Sequence, residues 1–91
     1  MIKYIYEFVG TFIFLSIILS VAGKSQMAPL FIGLGLTAAV LFGGHVSGGH
    51  FNPSVSLMSV LNKSLSVKDF VPYIVAQLLG GAGAHYFSQL V

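Results

Sequence analysis

Between two apolar stretches the sequence runs Gly43-Gly44-His45-Val46-Ser47-Gly48-Gly49-His50-Phe51-Asn52-Pro53-Ser54-Val55-Ser56-Leu57. Two glycine pairs and two histidines lead into an Asn-Pro helix start, at a depth where the flanking segments demand lipid. Backbone without its own hydrogen bonds survives at membrane depth only when it is buried in protein or lines a water-filled cavity. The loop is therefore expected to line such a cavity, as one half of a pore.

The rest of the chain fits that setting. Of the 91 residues, 56% are hydrophobic and 7% charged, the balance of a membrane protein rather than a soluble domain. Lys3, Glu7, Lys24, Lys63, Lys68 and Asp69 are all the charges, and there is no Arg and no Cys. A disulfide framework and a thiolate metal site are excluded. No basic stripe is available to phosphates, so nucleic acid is not an expected partner. No nucleophile–base pair or metal set points to an enzyme, and no cofactor is expected.

Three runs read as spans, the second of them short, its apolar run of fifteen residues giving only ~22 Å as a helix. Residues 4–22 form the first, roughly 28 Å as a helix against a hydrocarbon core of about 30 Å. A cleaved signal peptide is the rival, with Lys3 at its start and Ser20-Val21-Ala22 resembling a cleavage site. Its length and the internal Glu7 weigh against that. Gly23-Lys24-Ser25 looks like the tail of a phosphate-binding loop, but that motif needs Gly where Ile18 stands. Residues 28–43 form the second span, with Pro29 in its first turn. A re-entrant loop and half-helix follow over 44–62. Asn52 is a good N-cap and Pro53 a good first residue, but about ten residues of helix give ~15 Å, half a bilayer. The third span is expected over 67–91. Ser66-Val67-Lys68-Asp69 reads as a capping box with Asp in place of Glu. Ala76, Gly80 and Ala84 give it a small-residue face for close packing.

The expected fold is thus an all-α membrane protein with three transmembrane helices and one re-entrant half-helix. The odd number of spans places the termini on opposite sides. Lys3, Lys63 and Lys68 share one side and Lys24 takes the other, so the N-terminus is expected in the cytoplasm.

Three motifs carry a family resemblance. His45-Val-Ser-Gly-Gly-His50-Phe-Asn52-Pro53-Ser54-Val55 resembles the first signature loop of the aquaporin and glycerol-facilitator family, the major intrinsic proteins, with Asn-Pro-Ser where the family has Asn-Pro-Ala. Glu7-Phe-Val-Gly10-Thr11 resembles the first-helix Glu-x-x-Gly-Thr, and Tyr73-Ile-Val-Ala76-Gln77-Leu-Leu-Gly80 the third-helix Tyr-x-x-Ala-Gln-x-x-Gly. The order and spacing match over essentially the whole chain. Family members contain two such halves in inverted orientation, and these residues resemble the first; the second Asn-Pro loop and the Arg that follows it are absent from them.

The resemblance implies a passive channel for water or small neutral solutes such as glycerol. Two half-helix N-termini would meet at the bilayer midplane, each carrying about +0.5 charge and together repelling cations and protons. Asn52, with Pro53 and Ser54, would present a carboxamide N–H to passing water; a plain N-cap is the structural alternative. Gly44, His45, Val46 and Ser47 are expected in the extended loop, with carbonyls lining the pore. Ile32 would stand at the selectivity ring. Glu7, His50 and Gln77 are expected to support the loop, Glu7 by accepting its N–H groups. Gly10, Ala76, Gly80 and Ala84 are expected at helix contacts. His45 and His50 fall short of a three- or four-ligand zinc site.

The expected partners are the lipid bilayer, water or a neutral solute, further copies in an oligomer, and a second channel half. That half would come from another chain or, less favourably, from an inverted copy. The alternatives are a non-conducting truncated or accessory protein that associates with a channel, and a half-repeat of an ion-coupled transporter. The lack of acidic residues near the loop lowers the last.

Overall fold

The computed structural model describes Met1 to Val91 and contains four helices and no strand: α1 (Ile2–Val21), α2 (Ala28–Ser47), α3 (Pro53–Leu61) and α4 (Val67–Leu90). Its long axis is 39 Å, close to the 40–45 Å of a bilayer with its headgroups. Helices α1 and α2 are each long and apolar enough to cross a membrane, and α4 has 24 residues.

Helix α1 is the centre. It packs against both α2 and α4, and α3 packs on α4. Tyr4 meets Tyr73 edge-on at 5.9 Å, Glu7 meets Gln77, and Phe12 meets Phe87, so α1 and α4 run parallel. Tyr6 stacks on Phe42 at 4.8 Å and Ile17 touches Gly35, so α1 and α2 run antiparallel.

The distribution of side chains is inverted relative to a soluble protein. Only 18 of 91 residues are buried, and they include Glu7, Thr11, Ser47, Ser56, Ser59, Asp69 and Gln77, while Leu41, Leu78, Leu79 and Val71 are exposed. A water-soluble fold of this size would bury its large aliphatic residues. An interior of small residues and polar groups, most of them hydrogen-bonded although Thr11 Oγ1 and Gln77 Oε1 have no partner in the chain, with an apolar exterior is what lipid solvation permits.

Small residues set the helix spacing. Gly10, Ala76, Gly80 and Ala84 are all buried. A Cβ at Gly80 would lie 2.8 Å from Phe8 O and 3.1 Å from Phe12 N, so the backbones of α1 and α4 lie directly against each other there.

The sequence reading of residues 44–47 requires correction. Gly44, His45, Val46 and Ser47 are not extended but form the last turn of α2, which continues past the expected end at 43. Gly43 and Gly44 are both helical, and the space over Gly43 takes the Phe51 ring. The helix stops at Gly48, φ 92°, whose N–H returns to Gly44 O at 3.0 Å. Gly49 (φ 63°) and Phe51 (φ 53°) continue the turn. At α4 a second correction applies. Ser66 is the N-cap, but its side chain caps nothing, and Asp69 closes no capping box. The Asp69 carboxylate instead takes Lys3 Nζ at 2.7 Å and the Tyr4 hydroxyl, tying the α1 start to the α4 start.

Candidate pore-loop site

The non-helical stretch is short, Gly48 to Asn52, and one side chain holds it. Glu7, in the second turn of α1, is fully buried. Its Oε2 accepts from Ser47 Oγ at 2.7 Å and from His50 N–H at 3.0 Å. Its Oε1 accepts from Phe51 N–H at 2.8 Å and from Gln77 Nε2 at 2.9 Å. Four donors fill the four lone-pair directions of a carboxylate. A carboxylate taken out of water costs several kcal/mol unless it is satisfied in this way.

A second layer braces the first. Gln77 Nε2 also donates to Ser56 Oγ at 2.9 Å, which binds α3 to α4. The His50 ring bridges the loop to α3, with Nδ1 2.9 Å from Ser56 Oγ and Nε2 3.4 Å from Ser59 Oγ. Tyr73 donates its hydroxyl to Ser47 O at 2.6 Å, closing the C-terminus of α2. Phe51 is driven into the gap over Gly10 and Gly43, and a Cβ on Gly10 would collide with its ring. The loop is therefore anchored from α1, α3 and α4, and its backbone conformation is set by protein contacts.

Its carbonyls are left over. Those of Gly48, Gly49, His50 and Phe51 accept no hydrogen bond from the chain. Asn52 caps α3: its Oδ1 accepts Ser54 N–H at 2.7 Å, with backbone φ −161° and ψ 124°. The cap decides how the carboxamide points. Its oxygen is committed to the helix, and its NH2 donates to nothing in the chain, on a residue that is exposed. Four consecutive free acceptors thus lead to a free donor at the positive end of a nine-residue helix, where the macrodipole opposes cations.

The structure gathers Glu7, Ser47, His50, Gln77, Asn52, Pro53 and Ser54 around one loop. Ile32 stands apart, half-buried on α2, and His45 is exposed on the last turn of that helix. His45 and His50 share no ligand set, since both ring nitrogens of His50 face serine hydroxyls. Sequence reasoning missed the work of Ser56, Ser59, Tyr73 and Phe51. The signal for the serines is present in the sequence: Ser56 and Ser59, at i and i+3 of a short half-helix, share one face.

The family model described as "Major intrinsic protein" matches residues 1–90. The chain is similar to glycerol uptake facilitator protein-like 6 of Lactiplantibacillus plantarum, 39% identical over 86% of this chain and 38% of that protein. It is similar to aquaporin Z of Brucella melitensis, 40% identical over 86% of this chain and 39% of that protein. It is similar also to aquaporin NIP3-1 of Arabidopsis thaliana, 38% identical over 98% of this chain and 30% of that protein. The chain thus spans less than two-fifths of the length of these relatives. No solved structure matches it.

Proposed function

The chain belongs to the major intrinsic protein family, and from that premise we propose that residues 1–91 form one of the two halves of a passive channel for water or small neutral solutes such as glycerol. The opposing half lies beyond these residues, on the same polypeptide or on another, and the assembled channel is oligomeric. α1, α2 and α4 span the bilayer, and α3 is the re-entrant half-helix. The N-terminus lies in the cytoplasm, as the bias of Lys3, Lys63 and Lys68 over Lys24 favours.

One observation carries the proposal: free carbonyls from Gly48 to Phe51 end at an Asn52 carboxamide with a free NH2. Water moving along this wall accepts nothing and donates to each carbonyl in turn. At Asn52 it meets a donor and must turn its oxygen there. A chain of waters reoriented at that point cannot relay a proton, and the half-helix dipole raises the cost of any cation. The carbonyl ladder expected at 44–47 moves with the end of α2 to 48–51. Glu7 and Gln77 act at one remove, by fixing which way those carbonyls point. Ile32 on α2 is the residue this half contributes to the selectivity ring.

Stopped-flow light scattering on proteoliposomes tests this. Vesicles holding the chain together with a second half bearing an Asn-Pro loop and its following Arg should shrink faster than empty vesicles under an osmotic gradient, without proton leak. Rates equal to those of empty vesicles would sink the channel. Equal flux from residues 1–91 alone would sink the need for a second half.

A further inference from the structure

On the outer side of α1 and α4 lies an apolar groove of about 460 Å³, lined by Tyr4, Ile5, Phe8, Val71, Val75 and Leu79 among others. The volume is in the range of small-molecule sites. Around α1, Phe8 and Ile5 lie about 100° and 160° from Glu7, so the groove turns away from the pore loop. Along α4 its lining runs from 71 to 79, a rise of roughly 12 Å, much of one leaflet of a ~30 Å hydrocarbon core.

Its head is basic. Lys68 precedes Val71, Val75 and Leu79 at i+3, i+7 and i+11, the same face of α4. Lys3 Nζ lies 5.9 Å from the Tyr4 ring centroid, and Tyr4 lines the groove. Lys3 gives one contact to Asp69 and is 35% exposed, so an ammonium with three donors keeps capacity for an outside anion. Lys68 is exposed and makes no ion pair, since Lys3–Asp69 is the salt bridge of the chain.

We propose that this groove binds an anionic phospholipid, with an acyl chain along Val71, Val75 and Leu79 and the phosphate between Lys3 and Lys68. The charge is complementary, and the apolar stripe begins where the two lysines end. Basic side chains at the inner membrane surface attract anionic headgroups. Only the depth of Lys3 and Lys68 rests on the proposed orientation in the membrane.

Native mass spectrometry of the chain released from mixed micelles, titrated with phosphatidylglycerol or phosphatidylcholine, tests the site without measuring flux. Phosphatidylglycerol should be retained several-fold more strongly than phosphatidylcholine. Lys68→Gln should remove most of that preference. Val75→Trp, at an exposed position, should fill the groove and reduce retention of both lipids. Lys63→Gln, on the turn after α3 and off the groove, should leave the preference in place. Equal retention of the two lipids would overturn the site, as would loss of preference in Lys63→Gln equal to that in Lys68→Gln. A Val75→Trp variant that keeps its lipid but changes oligomeric state would also overturn it, assigning the groove to a protein neighbour. Far-UV circular dichroism on each variant separates lost binding from lost fold.

Discussion

Gln77 donates its side-chain amide to Glu7 Oε1 at 2.9 Å, joining residues 70 positions apart across the α1–α4 interface. The same amide nitrogen reaches Ser56 Oγ on α3, so a single carboxamide links three helices. The loop N–H groups of His50 and Phe51 hang on the carboxylate at the other end of this contact.

Glu7→Gln tests that arrangement. A glutamine keeps one acceptor oxygen and turns an NH2 toward two groups that donate to Glu7. Hydrogen bonds to charged groups contribute about 1.5–3 kcal/mol each, and donors left unmatched add to the loss. The substitution should destabilise the chain by about 3 kcal/mol. Unfolding in mixed detergent micelles, followed by circular dichroism, measures it. Flux of the assembled channel should fall in parallel as the loop loosens.

Much of this site was legible because polar residues in apolar helices are conspicuous. Glu7 and Gln77 stand out in apolar sequence, and each needs a partner. Asn52-Pro53 announces a helix start from local chemistry alone. Other features depended on tertiary contacts that a pattern does not carry. Gly43-Gly44 reads as a helix end by propensity, yet Phe51 over Gly43 makes that glycine part of a packed helix. Asp69 reads as a local cap, yet Lys3 and Tyr4 arrive from 66 and 65 residues away and outcompete the box. The glycine pair ends α2 at 43 by pattern, four residues short of Ser47, and so counts residues 44–47 as extended loop where they are helix.

Helix spacing gives a paired prediction. At Gly80 a Cβ would press on the Phe8 carbonyl, which is backbone and cannot swing aside. Gly80→Ala should force α1 and α4 apart and cost about 1–3 kcal/mol. At Gly33 a Cβ would meet nothing within 4 Å, so Gly33→Ala should be neutral or stabilising by up to about 1 kcal/mol. Both are read in the same micelle unfolding experiment. Equal costs at the two positions would contradict the close α1–α4 contact.

Lys63 ends α3 with φ 67°. Ser64 N–H returns to Ser59 O at 2.8 Å and Lys63 N–H to Val60 O at 3.1 Å, the Schellman pattern whose left-handed position is usually glycine. Lys63→Gly should therefore stabilise the fold by about 1 kcal/mol. It should also weaken the charge bias that orients the chain. Unfolding measures the first effect, and protease protection in sealed vesicles measures the second, as a larger fraction of inverted insertion.

Asn52→Asp separates the two jobs of one side chain. An aspartate can still accept Ser54 N–H as Asn52 Oδ1 does at 2.7 Å, because Asp and Asn are comparable N-caps. The fold should change by less than about 0.5 kcal/mol. The NH2 that faces away from the helix becomes a second carboxylate oxygen. A donor is lost from the wall, and a negative charge now offsets the positive end of α3. In the assembled channel, proton and cation leak should rise while osmotic water flux is retained within a few-fold. A pH-sensitive dye sealed in the vesicles reads the proton leak, and light scattering reads the water. If stability and water flux survive and the leak does not rise, Asn52 serves α3 as a cap alone, and exclusion of charge must come from the half-helix dipole without it.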